Sequence, residues 1–184
     1  MKTDSNSNLG FALLGLLWQS PRSGYDLRKF FSATPMMSFS DSPGAIYPAL
    51  RRLEQRGFIR GQAEGARRRK IFQLTPRGRS EFRRWQTQPI TRQDVVRNCD
   101  ALVLRFAFMD QSVGKRDCLR FLKSFQRELL QYLPGLREYF RTNRRHMPAS
   151  GRLALQNGIE AYEGNLRWTE VAIRTYRNQK GGSS

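Results

Sequence analysis

Two short runs of strand-forming residues stand apart in a sequence whose other apolar patterns have helical spacing. Residues 58–60 and 70–74 contain Phe, Ile and Leu, and Gly65 between them favours a turn. The rest of the first half consists of helical segments before and after this hairpin, and the second half is helical throughout. The sequence therefore predicts a mainly α fold with one small β-hairpin.

Capping residues and prolines bound the helices of the first half. The nearly all-apolar residues 9–19 predict a buried helix that is too short to span a bilayer. Ser23 is the expected N-cap of the second helix, because Asp26 three residues later can complete a capping box. Thr75 followed by Pro76 provides the N-cap and N1 chemistry that begins the helix after the hairpin.

A third helix is expected to begin with Ser42 as its N-cap and to end at Gly57. Pro48 removes a backbone hydrogen bond from the helix interior. We therefore expect the regular helix to begin later than Ser42 implies, or to bend at the proline. The apolar residues of its buried face recur at helical steps: Ile46, Leu50 and Leu53.

The second half contains a helix over residues 100–109 and a longer helical stretch after Gly114. Pro134 and the glycine after it predict a kink in that stretch, or its division into two helices. The last helix has a narrow heptad seam, which favours pairing with the same helix of a second subunit. Packing inside one chain is the alternative. The seam consists of Leu155, Ile159, Tyr162, Leu166, Thr169, Ile173 and Tyr176.

The charge of the chain indicates a polyanionic partner. It contains 33 Lys and Arg against 15 Asp and Glu, a formal net charge of +18. Lysine and arginine near phosphates release condensed counterions, so this balance favours nucleic acid. An anionic membrane surface fits the charge alone, but the basic residues do not lie opposite one long apolar helix face.

The sequence lacks the residue sets that catalysis and metal binding need. His146 is the single histidine, so neither a Ser-His-Asp triad nor a zinc site can be assembled around several histidines. Cys99 and Cys118 lack metal-ligand spacing and are expected to be reduced. No phosphate-binding loop occurs. We expect a protein that is not an enzyme and that needs no cofactor or metal.

A helix pair followed by a basic hairpin is the plan of a winged helix-turn-helix. The third helix would read base edges in the major groove, and the hairpin would reach the adjacent minor groove or phosphates. A solvated basic face and a simple helix cap are the alternatives at these positions. The candidate DNA-binding residues are Ser23, Gly24, Tyr25, Gly44, Ala45, Tyr47, Arg51, Arg52, Arg67, Arg68, Arg69 and Lys70.

Four segments in this order resemble the PadR family of bacterial regulators. They are Leu-Gly-Leu-Leu at 14–17, Ser-Gly-Tyr-Asp-Leu at 23–27, Gly-Ala-Ile-Tyr-Pro-Ala-Leu-Arg-Arg-Leu-Glu-Gln-Arg-Gly at 44–57, and Arg-Lys-Ile-Phe-Gln-Leu-Thr-Pro-Arg-Gly at 69–78. The resemblance implies a winged helix-turn-helix DNA-binding domain over residues 1–90. It implies a helical dimerisation domain over residues 91–184, as in the subgroup with a long C-terminal domain.

The same resemblance implies a homodimer that binds double-stranded DNA at a palindromic operator, mostly as a repressor. It also implies release by a small aromatic effector bound between the domains. Because the polar residues 1–8 lack the basic and apolar regions of a signal peptide, we expect a cytoplasmic location. The basic run of residues 67–70 leaves a second interpretation open, a nucleoid-type or RNA-binding protein without sequence specificity. A hypothetical effector pocket would draw on the aromatic residues Trp18, Trp85, Phe106, Phe108, Tyr162 and Trp168, for which ordinary core packing is the alternative.

Overall fold

The computed structural model of the chain describes residues 7–34, 43–64 and 69–179. By their internal contacts the residues divide into two compact units. The first comprises residues 1–88 together with 103–113, and the second comprises residues 89–102 together with 114–184. Residues 103–113 therefore pack with the first unit, although they follow the boundary expected near residue 90.

Four helices build most of the first unit: α1 (Ser7–Gln19), α2 (Gly24–Ala33), α3 (Pro43–Gln55) and α4 (Pro76–Thr87). The predicted caps of α2 and α4 are confirmed. Ser23 accepts a hydrogen bond from the backbone N–H of Asp26 and completes a capping box with it, and Thr75 accepts one from the backbone N–H of Gly78. The predicted N-cap of α3, Ser42, lies outside the described residues.

Helix α3 continues through Pro48. Of the two expectations, the later start of the regular helix is therefore wrong. Gly57 ends the turn after α3 with a φ of 72°, a left-handed conformation that glycine adopts without steric strain. The N–H groups of Gly57 and Phe58 donate to the carbonyls of Glu54 and Leu53 at 2.9 Å each. This is the Schellman arrangement that satisfies the last carbonyls of a helix.

A three-stranded antiparallel sheet joins these helices, in the order β1 (Arg22–Ser23), β3 (Arg69–Leu74), β2 (Ile59–Glu64). The hairpin of β2 and β3 was predicted, and its strands are longer than the sequence indicated. The short β1 was not predicted. It pairs Ser23 with Ile71 and leads directly into α2, so the hairpin is hydrogen-bonded to the start of that helix.

The core of the first unit lies where the apolar faces of its four helices meet. The three α3 residues predicted to face inward are buried, as expected. Phe82 of α4 is completely buried, with Trp18, Trp85 and Phe108 around it at ring-centroid distances of 5.6–6.2 Å. Its buried residues include Leu13, Leu17, Leu27, Phe31, Ile46, Leu50, Leu53 and Phe82.

Three helices carry the rest of the chain: α5 (Arg92–Ala107), α6 (Lys115–Asn143) and α7 (Ala149–Asn178). Helix α5 begins earlier than predicted, because Thr91 and Asp94 form a reciprocal cap through their side chains and backbone N–H groups, and it is interrupted at the non-helical Asn98. Helix α6 is a single helix that runs through Pro134, so the alternative of two helices is wrong, and the other alternative, a kink at Pro134, stays a prediction.

The heptad seam of α7 packs against α6 of the same chain. Ile159, Thr169, Ile173 and Tyr176 are buried in this single chain, and Tyr162 meets Tyr132 of α6 with ring centroids 5.1 Å apart. The alternative of packing inside one chain therefore describes these buried residues, and pairing of the seam with a second subunit stays a prediction. The sequence pattern of α7 alone could not indicate that its partner would be α6, a long amphipathic helix of the same chain.

The aromatic residues considered for an effector pocket belong to separate packing clusters. Trp18, Trp85 and Phe108 pack around Phe82 in the first unit, whereas Trp168 packs on Phe125 in the second. Among the described residues, no helix has the length and apolar character needed to cross a membrane.

Candidate nucleic-acid interface

The start of α2 is fixed by the side chains of Ser23 and Asp26. Ser23 is buried, and its hydroxyl donates to Asp26 Oδ2 at 2.8 Å while accepting from the Asp26 backbone N–H at 3.2 Å. The next residue but one, Tyr25, is 54% exposed and packs its ring against the guanidinium of Arg28. Of the three residues predicted at this helix start, only Tyr25 thus presents a side chain to solvent.

Helices α2 and α3 approach each other closely at Gly24 and Tyr47. A Cβ atom built on Gly24 would lie 2.7 Å from Cε1 of the Tyr47 ring, closer than van der Waals contact permits. The absence of a side chain at Gly24 therefore allows Tyr47 to lie across the start of α2. This contact holds the tyrosine in place while leaving it 42% exposed.

The outer face of α3 presents the residues that the sequence singled out for base reading. Arg51 is exposed one turn after Tyr47, and it makes no hydrogen bond or ion pair with any described residue. Gly44 is exposed and Ala45 is half-buried near the helix start, so no large side chain blocks that end. Arg52 is half-buried and is engaged in other interactions within the chain.

Two ion pairs hold the basic strand β3 against α2 and α3. Arg69 Nη2 donates to Asp26 Oδ1 at 2.5 Å and to Ser23 Oγ at 2.7 Å. Lys70 Nζ donates to Glu54 Oε2 at 2.8 Å, and Glu54 Oε1 accepts from the backbone N–H of Gly61 at 3.0 Å. Arg69 and Lys70, predicted as DNA contacts, are therefore anchors of the hairpin as well as surface cations.

Both carboxylates have pKa values below their ordinary range. For Asp26 the main cause is the hydrogen bond from the Ser23 hydroxyl, with Arg69 adding a favourable charge. For Glu54 the main cause is the hydrogen bond from Lys70, followed by that from the Gly61 N–H. Hydrogen bonds to the ionised form favour ionisation, so both carboxylates are charged at neutral pH.

One cleft of about 280 Å³ collects most of the predicted contact residues. Its walls come from the start of α2, the outer face of α3 and the strand β3. Arg67 and Arg68 lie outside the described residues, and Gly44, Ala45 and Arg52 do not line the cleft. The seven predicted residues that do line it are Ser23, Gly24, Tyr25, Tyr47, Arg51, Arg69 and Lys70.

Sequence reasoning missed the two acidic members of this site. Asp26 was interpreted only as a capping residue, and Glu54 was not assigned a role. Their partners lie 43 and 16 residues away in the chain, so no local pattern links them. The one available signal was that each carboxylate lies in a segment with predicted contact residues, Asp26 in 23–27 and Glu54 in 44–57.

Comparison with known proteins gives a match over this part of the chain. The model of the "Transcriptional regulator PadR-like family" matches residues 13–84. The "Negative transcriptional regulator PadR" of Bacillus subtilis (strain 168) is 36% identical over 87 residues, which are 45% of this chain and 48% of that protein. The chain thus spans about half the length of the curated relative that it matches.

Two solved structures align with most of the chain at low superposition scores. The PadR-like transcriptional regulator BC1756 from Bacillus cereus is 26% identical and has a TM-score of 0.41, with 94% of this chain and 99% of that chain covered. The complex of Bacillus subtilis PadR with operator DNA is 24% identical and has a TM-score of 0.40, with coverage of 91% and 97%. By the match of the family model, residues 13–84 of this chain are similar to the PadR-like family of transcriptional regulators.

Proposed function

We propose that the chain is a sequence-specific DNA-binding regulator of transcription that places α3 in the major groove. The observation that carries the proposal is the exposed Arg51 on the outer face of α3, beside Tyr47 in the cleft. An arginine in the major groove can donate two hydrogen bonds to O6 and N7 of guanine. The Tyr47 hydroxyl and the exposed Tyr25 are placed to donate to backbone phosphates.

The hairpin acts as the wing in this proposal. Arg69 and Lys70 hold it against α2 and α3 through Asp26 and Glu54, so two cations of the basic run lie beside α3. Contacts from such a wing to phosphates add affinity without reading sequence. Arg51 supplies specificity, and the wing supplies orientation and salt-dependent affinity.

We further propose that the protein binds a palindromic operator as a homodimer and represses transcription by occupying the promoter. The related Bacillus subtilis protein is described as a negative regulator, and repression is transferred to this chain as a proposal. The second unit offers apolar surface for a partner subunit, since four of its large apolar side chains are more than half exposed: Leu130, Tyr139, Leu153 and Val171. Two recognition helices about 34 Å apart would occupy successive major grooves.

Release by a small aromatic effector is the remaining element of the proposal, and it is supported by the family resemblance alone. Titration of aromatic carboxylic acids against tryptophan fluorescence and operator binding tests it. An effector changes both signals with the same midpoint. If none of the compounds alters operator binding, this element of the proposal is withdrawn while DNA binding stands.

A footprint of the purified protein on the DNA around its own gene tests the main proposal. The experiment is done at about 150 mM salt with excess random competitor DNA, because phosphate contacts alone weaken steeply with salt. A protected site with two-fold symmetry supports a dimeric, sequence-specific regulator. Smeared protection that the competitor removes would instead support a basic protein that binds nucleic acid without specificity.

A further inference from the structure

A second basic cleft lies in the second unit, where α6 ends and α7 begins. It encloses a cavity of about 670 Å³, within the size range of small-molecule sites in proteins. An apolar floor is provided by Phe140 and Ile159. The charged residues of its wall are Arg137, Arg144, Arg145, Arg152, Glu160 and Glu163.

The four arginines are only partly neutralised by the two carboxylates. Arg137 donates to Glu163 Oε1 from Nε at 3.0 Å and from Nη2 at 2.6 Å, so this pair is internally satisfied. Glu160 accepts a hydrogen bond from the Gln156 amide at 3.0 Å. Within the part of the chain that the structure describes, Arg144, Arg145 and Arg152 make no ion pair.

The position of Arg152 adds to the excess of positive potential. It is the fourth residue of α7, a helix whose first turn contains no acidic residue. A cation there is disfavoured by the helix dipole and by the neighbouring arginines. A bound anion relieves both repulsions, and guanidinium groups bind carboxylate and phosphate oxygens through paired hydrogen bonds.

We propose that the cleft between the end of α6 and the start of α7 binds a small, multiply charged anion with phosphate or carboxylate groups. Arg144, Arg145 and Arg152 are the ligating residues, and Arg137 is held at the rim by Glu163. Nucleic acid is the other occupant that this charge would attract, and the test below distinguishes it from a small anion. The proposal does not depend on DNA binding by the first unit.

Calorimetric titration of the full-length protein with pyrophosphate and with citrate, at equal ionic strength, tests the site. The double variant Arg144→Gln/Arg152→Gln removes two cleft cations. The double variant Arg116→Gln/Arg174→Gln removes one exposed cation each from α6 and α7 outside the cleft, and so serves as the matched control. Arg51→Gln reports whether the anion binds instead at the DNA-binding face. Thermal unfolding by circular dichroism verifies that all variants fold.

We expect binding of at least one anion to the wild type, weakened about tenfold or more in the cleft variant, as loss of charge-assisted hydrogen bonds implies. The control variant and Arg51→Gln should retain the wild-type affinity. A stronger response to pyrophosphate or to citrate identifies the anion class. The proposal is overturned if neither anion binds, if the control loses as much affinity, or if Arg51→Gln abolishes the signal. It is equally overturned if the cleft variant weakens only duplex DNA binding.

Discussion

Arg69 of β3 donates a hydrogen bond to Asp26 of α2 at 2.5 Å and so joins the turn end of the basic hairpin to the start of the helix that precedes α3. The same guanidinium nitrogen also donates to Ser23, the N-cap of α2. A single carboxylate thus serves both as a helix cap and as the anchor of the wing. This double role makes Asp26 one of two carboxylates, with Glu54, on a surface that also carries Arg51, Arg69 and Lys70.

Replacing Asp26 with Asn should weaken DNA binding, although it removes a negative charge from the DNA-binding face. The reason is that Arg69 loses its anchor and the wing loses its fixed position. Affinity measured by fluorescence anisotropy on an operator fragment checks this expectation. Glu81→Gln, which removes a carboxylate paired with Arg84 on α4, is the matched control and should leave affinity nearly unchanged. Stronger binding by Asp26→Asn would show that the carboxylate acts by simple repulsion.

Arg51→Ala should weaken operator binding more than binding to random DNA. A lost bidentate contact to guanine is worth about 1–3 kcal/mol of discrimination. By contrast, Arg68→Ala should weaken both to a similar degree and lower the salt slope by about 1 for each lost phosphate contact. Competition titrations at several salt concentrations separate the two behaviours. Equal losses on both DNAs for Arg51→Ala contradict a base-reading role.

Gly24→Ala should displace the Tyr47 ring, because the added methyl group would lie 2.7 Å from Cε1. We expect a loss of unfolding free energy of about 1–3 kcal/mol, the usual effect of overpacking, together with weaker operator binding. Denaturant unfolding and anisotropy measure the two effects.

Gly158→Ala in α7 makes the same chemical change where no atom lies within 4 Å. It should stabilise the protein by about 0.5–1 kcal/mol, because alanine is the better helix former. If Gly24→Ala is stabilising as well, the close approach of α2 and α3 at Tyr47 is not a constraint.

Ile173→Ala should destabilise the folded chain by about 2–5 kcal/mol, because the side chain is buried against α6. The loss should be independent of protein concentration. Its matched control is the exposed Val96→Ala in α5, which should change stability by less than about 0.5 kcal/mol. Chemical unfolding at two protein concentrations is the measurement. A loss for Ile173→Ala that appears only on dilution would restore the seam to the subunit interface.

The two ion pairs that hold the hairpin, Arg69 with Asp26 and Lys70 with Glu54, should be lost at acid pH. The pKa values of Asp26 and Glu54 are lowered from ordinary values of 3.8 and 4.5, so their stabilisation is complete above those values. It is lost as the pH falls through the lowered pKa values. The difference in Tm between wild type and Asp26→Asn/Glu54→Gln should be constant at neutral pH and shrink toward zero below about pH 3.8. A difference that is unchanged down to about pH 2 would contradict this assignment.

Much of the local structure could be predicted from the sequence. The caps at Ser23 and Thr75, the end of α3 near Gly57 and the buried face of α3 depend on residues within one or two helical turns. The same logic applied to Thr91 and Asp94 would have placed the start of α5 correctly. The sequence could not decide whether α3 continues through Pro48 and α6 through Pro134. Packing on neighbouring elements outweighs the loss of one backbone hydrogen bond at each proline.

In the candidate site, too, some features could be predicted from the sequence and others could not. The sequence by itself determined that Tyr47 and Arg51 face solvent, since helical periodicity separates the outer face of α3 from Ile46, Leu50 and Leu53. Only the tertiary structure decided that β1 pairs with β3, that Arg69 and Lys70 are tied to Asp26 and Glu54, and that the α7 seam is covered by α6. Capping and periodicity arise from interactions among near neighbours, whereas these pairings join distant segments. Which segments meet is set by the packing of the whole core, and no local pattern encodes that choice.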